Sequence, residues 1–472
     1  SRPHGIRTRY SSYVTLQANN YYPILAYFGE RTGGDAMLIR WQGPSQSLTD
    51  NGTSVYFHND LEYTSGAFTG TTGGDISTVN AFATDSSSSN TIGSATIANL
   101  LTAGTDVHLR ANEDITISNA ITATGSSGGN LSFLAGRDIT INSNITTANG
   151  DLTMRANTST SYGVVDAQRG SGSADIENNA TINAGTGIVS AIIDGGSGLT
   201  NDQPGSISLG TISARSIIAT GDTSLGTITG TSLTASGGGT AINISGYDIG
   251  SISSLNASSG YWRLKRLATN NSTMSNVPSA SFIQYNYTNG TSTLGSGNGI
   301  LHGYNPGVIT KNYDYVRSGG SSLGYRANKV YDGGNSTSGV TFGNATVVSS
   351  NGLPSEVSVS LNSPNLTYDS KDFNNNSKTI AAGSSYTISS ATHSRHGTVH
   401  GLSAGTQSIS DARISKKPVN LTGIKTYDGT TTARASELRV NSGLVGSETL
   451  VLSGSGTLNT ANAGTNSITS NA

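Results

Sequence analysis

Two segments of this chain superimpose residue for residue: Leu109-Arg110-Ala111-Asn112-Glu113-Asp114-Ile115-Thr116-Ile117 and Phe133-Leu134-Ala135-Gly136-Arg137-Asp138-Ile139-Thr140-Ile141, 24 positions apart. Each runs on into an Ile-Thr pair and a glycine. Leu152 to Asn157 starts a third copy, and Asp175 to Gly187 reads as a further, degenerate one. Later, Ser208-Leu209-Gly210-Thr211-Ile212 returns as Ser224-Leu225-Gly226-Thr227-Ile228 after 16 positions, and loosely as Asp248-Ile249-Gly250-Ser251-Ile252 after another 24. Helical repeats need longer units built from helix formers. A unit of about 16 to 24 residues, with two or three short alternating strands broken by Gly, Asn and Asp, is what one coil of a β-solenoid requires. Within a coil Ile115, Ile117 and Ile121 alternate with Thr and Ser, which points the apolar side chains inward and the hydroxyls outward. Asp114, Asp138 and Asp175 each precede the equivalent strand, where a short carboxylate can cap the turn by accepting nearby backbone N–H groups.

Composition supports an ordered β chain. Charged residues make up only 11% and there are 61 glycines among 472 residues, but Ile, Val and Thr recur at close intervals, which a disordered polar chain lacks. Lys plus Arg is 26 and Asp plus Glu is 28, a formal charge of −2 with no basic block, so no nucleic-acid partner is expected. The absence of cysteine excludes disulfides, thiolate metal sites and cysteine catalysis. No apolar run approaches the length of a membrane span and no signal peptide opens the sequence, so the chain reads as an internal piece of a longer protein. With roughly 22 residues per coil and a strand spacing of about 4.8 Å, residues 1–258 give a parallel β-helix of about a dozen coils and a rod roughly 55 to 60 Å long.

Aromatic residues are sparse between Thr64 and Gly246 and crowd both flanks. The N-terminal flank carries Tyr10, Tyr13, Tyr21, Tyr22, Tyr27, Phe28, Trp41, Tyr56, Phe57 and Tyr63; the later one, residues 259–324 and on to Tyr325, carries Tyr261, Trp262, Tyr285, Tyr287, Tyr304, Tyr313, Tyr315 and Tyr325 with several arginines. Large rings either fill irregular end coils and close the open solenoid edge, which is the favoured reading, or form a surface on which sugars stack. The candidate ligand-binding residues are Tyr261, Trp262, Tyr285 and Tyr287.

Beyond residue 325 a different motif occurs twice, Lys329-Val330-Tyr331-Asp332-Gly333 and Lys425-Thr426-Tyr427-Asp428-Gly429, 96 positions apart. Asp-Gly after a strand-like Tyr predicts a tight turn. Ala404-Gly405-Thr406 and Ala463-Gly464-Thr465 form a second matching pair only 59 positions apart, so the second module is shorter or cut off. Residues 325–417 are read as one small β module and 418–472 as a second, with Lys416-Lys417-Pro418 as a linker. Tyr331 and Tyr427 are expected at equivalent buried positions.

The Lys-x-Tyr-Asp-Gly motifs, the Lys-Lys-Pro linker and Asn462-Ala463-Gly464-Thr465 resemble the YDG modules of bacterial surface exoproteins, while the Arg137-Asp138-Ile139-Thr140-Ile141 coils resemble filamentous-haemagglutinin-type β-helices. Together they resemble two-partner-secretion adhesins of the high-molecular-weight and biofilm-matrix types, without their amino-terminal secretion domain. The resemblance implies an all-β chain, a right-handed parallel β-helix followed by β-sandwich-like or β-grasp-like YDG modules. It also implies a secreted protein of the bacterial cell surface or matrix, exported through an outer-membrane partner. The expected ligands are exopolysaccharide, surface glycans or neighbouring cells, and no cofactor is called for.

Catalysis finds little purchase in the sequence. Gly-x-Ser-x-Gly occurs at Gly125 to Gly129 and Gly320 to Gly324, but a nucleophile elbow must follow a strand and open a helix, and neither does. A β-helix hydrolase or lyase would need two convergent carboxylates. The passive stalk of a contact-dependent toxin is a third reading. His393, His396 and His400 would share one face of a helix and could ligate a metal, but their Ser, Thr and Gly neighbours favour strand or an exposed module loop. Gly33-Gly34-Asp35 and Gly73-Gly74-Asp75 match fragments of calcium-binding repeats without tandem copies.

Overall fold

The computed structural model describes residues 61–65, 67–71 and 89–471, apart from 273, 289, 291, 294 and 318–323. The aromatic cluster from Tyr10 to Phe57, both Gly-Gly-Asp segments and most of Gly320 to Gly324 lie outside these residues. The chain is all-β and divides into two units, Ser1–Asn305 with His393–Gly401, and Pro306–Thr392 with Leu402–Ala472.

In the first unit the strands pair in parallel, each with its counterpart one repeat further along, and they form three ladders. The first joins Val107–Ala111, Leu131–Ala135, Leu152–Ala156, Ile188–Ile193 and Ser216–Thr220. The second joins Ile115–Ile117, Ile139–Ile141, Ala174–Asn178 and Pro204–Ser208. The third joins Ile121–Thr122, Ile145–Thr146, Thr181–Asn183 and Thr211–Ala214. Two long strands, Thr227–Gly246 and Asp248–Arg266, then pass through all three ladders in succession.

Register explains the core. Ile115 lies opposite Ile139 and Ile117 opposite Ile141, and all four are buried, as the shared 24-residue spacing predicts. Val107, Leu131, Leu152, Val189, Ile217 and Ile242 stack inside the first ladder, and Ile121, Ile145, Ile182, Ile212 and Leu233 inside the third. Each such side chain contributes about 1.5 to 3 kcal/mol by leaving water. The intervening Thr, Ser and Asn face outward because the side-chain period of a strand is two.

The register also corrects three readings of the sequence. Leu152–Ala156 and Ala174–Asn178 both pair with strands of the same preceding repeat, so the third copy and the degenerate fourth are halves of one repeat opened by residues 157–173. Ile212 lies opposite Leu233 in the third ladder, whereas Ile228 lies between Ile207 and Ile249 in the second. The 16-residue echo therefore compares strands of different ladders. The parallel pairing also continues past residue 258, because residues 263–266 pair with Gly299–His302, which pairs in turn with Phe282–Gln284.

At the ladder corners the Asp residues do something other than cap their own turn. Asp114 Oδ1 accepts the N–H of Asp138, Asp138 Oδ1 that of Asp175, and Asp175 Oδ1 that of Ser206. Each carboxylate thus ties one repeat to the next. A second corner works the same way, with Asp106 accepting from Asn130, Asn130 from Asp151 and Asp151 from Ile188. Gly150 stands close to that corner, where an added Cβ would sit 2.0 Å from the Gly129 carbonyl oxygen, so no larger residue fits without moving backbone.

The α-helix Ser94–Thr102 was not foreseen. Ile97, Ala98, Leu100 and Leu101 form its buried stripe, and it packs on Ile121–Thr122, the first described strand of the third ladder.

The second unit mixes antiparallel pairs with two parallel ones, Ala327–Val330 with Thr406–Ser415 and Val308–Tyr313 with Ser403–Ala404. Val308–Tyr313 pairs with Ala345–Ser349, and a five-stranded sheet joins Thr341–Phe342, Ala327–Val330, Thr406–Ser415, Asn374–Ser385 and Leu366–Tyr368. Tyr313, Ala327, Leu366, Tyr368, Ile380, Ile409, Ala412 and Ile414 make its core. Residues 418–471 add two small antiparallel groupings, Asn420–Gly423 with Leu438–Ser442, and Thr432–Arg434 with Ser455–Leu458 and Ile468–Asn471.

Candidate functional site

The aromatic residues expected to stack on sugars do not form an open surface. Trp262, Tyr285 and Tyr287 are buried, and only Tyr261 is partly exposed, with the Arg263 guanidinium 4.2 Å from its ring centroid. Continued parallel pairing through residues 263–266 and Gly299–His302 carries Trp262 into the stacked interior, opposite Ile242. The rings fill the last repeats.

Around them lies a buried polar cluster. Arg266 donates to the Asp248 carboxylate at 2.6 Å and to the carbonyls of Ala268 and Asn270. His302 Nδ1 accepts the Tyr304 N–H at 2.9 Å, while its Nε2 lies 3.0 Å from the Ser272 carbonyl. That pairing fits the neutral ring with its proton on Nε2. Burial and the Arg266 charge hold the His302 pKa down to about 4, with His393 also disfavouring the charged ring and Asp248 opposing. Because the unfolded chain takes up this proton first, stability is highest above about pH 6.5 and falls as the pH drops toward 4, by roughly 3 kcal/mol in all. A thermal melt followed from pH 7 to 4 should show the loss, and His302→Gln should flatten it.

The three clustered histidines share neither a helix face nor an exposed loop. His393 ends the strand Thr387–His393, His396 follows in a turn, and His400 closes the strand Gly397–His400, which pairs in parallel with Phe282–Gln284. The His393 and His396 rings pack at a tilt with centroids 4.6 Å apart, and both are buried. His396 Nδ1 accepts the Ala280 N–H, while His400 meets the edge of Phe282 at 5.7 Å. Packing, not convergence, sets their geometry, and among the described residues no three metal-ligating side chains come together.

Stacked carboxylates are what a hydrolytic reading would need. Asp114, Asp138 and Asp175 are stacked, but each accepts a backbone N–H, and Arg137 donates twice to Asp114 and lies within ion-pair distance of Glu113 and Asp138. Burial raises the Asp138 pKa above the usual carboxylate range. Gly125 to Gly129 leads into the strand Leu131–Ala135 and opens no helix.

Sequence reasoning missed two features. The inserted residues 157–173 fold against residues 194–203 around Arg169, which is buried. Its guanidinium donates to the carbonyls of Gly136, Gly170 and Asn201 and to Asn157 Oδ1. Asn157 in turn donates to the Asp194 carbonyl and to Asp202, and Asp166 accepts from Thr200. The interrupted Ile-Thr-Ile period was the available signal.

The other is a cleft of about 400 Å³ in the second unit, lined by Thr310, Lys311, Asn312, Arg326, Gln407 and Ser408 among others. Val308–Tyr313 supplies one wall and Thr406–Ser415 the other. Lys311 donates to Ser363 Oγ and lies 5.5 Å from the centre of the Tyr386 ring. Arg326 donates to Asn312 Oδ1 at 2.8 Å and the Tyr313 carbonyl at 2.7 Å, and lies 4.3 Å from the centre of the Tyr315 ring. Such a set of fixed hydroxyls, amides and cations can hydrogen-bond a polyhydroxylated chain.

The two Tyr-Asp-Gly motifs share a turn. Lys329 Nζ bonds Asp332 at 2.8 Å and the carbonyls of Gly334 and Ser336; Lys425 Nζ bonds Asp428 at 2.7 Å and the Thr430 carbonyl. Asp332 Oδ1 accepts the Gly334 N–H, and Asp428 Oδ1 that of Thr430. Gly333 and Gly429 adopt left-handed φ values of 78° and 76°. The lysines hold both carboxyls below their ordinary range, Asp428 at about 2. The expected equal burial of the tyrosines fails, since Tyr331 is half-buried and Tyr427 is 70% exposed. Tyr331 packs on the core of the five-stranded sheet, while Ala433 is the one residue buried among the described residues of 418–469.

A family model for the YDG domain matches residues 415–472, so the chain contains a YDG domain. No curated protein and no solved structure matches the chain.

Proposed function

We propose that this chain is part of the stalk of a secreted bacterial surface adhesin, in which a right-handed parallel β-helix is followed by YDG modules and attaches cells by many weak contacts with polysaccharide. The observation that carries the reading is the set of three parallel ladders, in which Ile, Leu and Val stack inward and Ser, Thr and Asn face out. Stacked repeats of this kind extend by addition and expose long, hydroxyl-rich faces suited to an extended ligand. The YDG domain at 415–472 supports a surface exoprotein. Exopolysaccharide, surface glycans and neighbouring cells are the proposed partners, and export through an outer-membrane secretion partner accompanies the proposal. The chain acts as a binding protein and not as a hydrolase or lyase, a reading supported by carboxylates at the ladder corners that are engaged by backbone N–H groups and Arg137.

The cleft at Lys311, Asn312 and Arg326 is the proposed sugar contact, with Gln407 buried in its wall and bonded to Tyr386 and Ser408. Each hydrogen bond to a sugar displaces water and contributes only about 0.5 to 1.5 kcal/mol net, so a single cleft binds weakly. A glycan array probed with the purified chain tests this. Binding to a matrix polysaccharide that drops several-fold in Asn312→Ala, an exposed position of the cleft wall, is expected; binding to no glycan, or shortening of the glycan chains, would overturn it.

A further inference from the structure

In the second unit the first Tyr-Asp-Gly motif is in contact with the module that follows it. Tyr331 Oη donates to Glu448 Oε1, and the other oxygen of that carboxylate accepts the Val445 N–H of its own loop. This contact raises the Tyr331 pKa above its ordinary value. Two residues along, a Cβ added to Gly333 would stand 3.0 Å from Val445 Cγ1, so the loop sits directly on the turn. The positive φ favours glycine there, and a larger residue would also press on the Val445 side chain.

Both halves of the contact occur twice in the chain. The loop Gly443-Leu444-Val445-Gly446-Ser447-Glu448 has a counterpart in Gly352-Leu353-Pro354-Ser355-Glu356, and each closes with a backbone bond across three residues, Glu448 N–H to the Val445 carbonyl and Val357 N–H to the Pro354 carbonyl. The Tyr-Asp-Gly turn at 427–429 repeats the one at 331–333 in its lysine, its carboxylate bonds and its glycine conformation. Its surroundings differ. Tyr427 is 70% exposed, and the Ile424 beside it 89%.

We propose that the Tyr-Asp-Gly turn of one YDG module is the seat for the Gly-Leu loop ending in Ser-Glu of the module after it, and that Tyr427–Gly429 presents this seat to a further YDG module joined in series. The partner is defined by chemistry: a carboxylate to accept from the Tyr427 hydroxyl, and a small aliphatic side chain to lie on Gly429. The precedent lies within one chain, between residues 331 and 448, and this argues for a neighbour in series over a second molecule. Such docking would convert a string of modules into a continuous, stiff array. The inference rests on the motif geometry and is independent of the adhesin reading.

Hydrogen exchange on the full 472-residue chain tests the existing contact first: Tyr331→Phe and Glu448→Ala should each speed amide exchange in residues 331–334 about tenfold, with exchange in the first-unit ladders unchanged. The chain is then extended after Ala472 by a second copy of residues 415–472. Exchange at residues 427–430 should slow about tenfold, and Tyr427→Phe, which leaves the ring in place, should reverse it. Equal exchange at 427–430 with and without the added module would overturn the proposal. So would protection that appears in the unextended chain as its concentration rises, because the occupant would then be a second molecule.

Discussion

Replacing Ile139 with Asp should destabilise the first unit by about 4 kcal/mol or more and open the chain to proteases between residues 131 and 182. Ile139 lies between Ile115 and Ile176 in the second ladder with no exposed surface. Burying a carboxylate there without a partner costs several kcal/mol, or else forces its protonation, and the lost isoleucine packing adds to that. Because each repeat touches only its neighbours, the damage should stay local before it becomes global. Ile139→Val, which removes one methylene in the same place, should cost only about 1 kcal/mol. Urea titration of the three proteins, paired with limited proteolysis, separates the cases. Near-equal stability of Ile139→Asp and the parent would mean that the ladder register is wrong.

Arg169→Met is expected to have the next largest effect, about 3 kcal/mol, through a different mechanism. The guanidinium is buried and serves the carbonyls of Gly136 and Asn201 and the side-chain oxygen of Asn157 at once, so removing it strands several acceptors away from water. The ladders on either side keep their hydrogen bonds. Hydrogen exchange should therefore accelerate in residues 157–173 and 194–203 and stay slow in Leu131–Ala135. Uniform acceleration across both would show that the inserted loop is part of the ladder core instead of an appendage tied down by one side chain.

These two sites mark what the sequence made legible. Ile115, Ile117, Ile139 and Ile141 declared their register, because alternation of period two admits one inward face and a one-residue slip would expose all four. Residues 157–173 hid theirs, since an insertion changes the spacing without changing the strands on either side, and so one repeat passed for two. The Ser-Leu-Gly-Thr-Ile echo misled for a related reason. Short strands on different ladders meet the same demands and converge on the same residues. Trp262 and Tyr285 were ambiguous because a ring closes a core as readily as it stacks on a sugar, and only the continued pairing through residues 263–266 for the first, and of Phe282–Gln284 with Gly299–His302 for the second, places them inside. The histidines were misplaced because nothing local states that residues 397–400 add to the first unit's ladder. For the Tyr-Asp-Gly motifs the turn was readable from five residues, whereas the burial of the tyrosine depends on a loop far along the chain.

The adhesin account stands or falls on avidity. Surface plasmon resonance on an immobilised matrix polysaccharide should give weak binding for the monomeric chain and an apparent affinity about 10² to 10⁴ tighter when copies are clustered on beads, with no shortening of the polysaccharide. Absence of binding by the clustered chain, or release of soluble fragments from the surface, would contradict it.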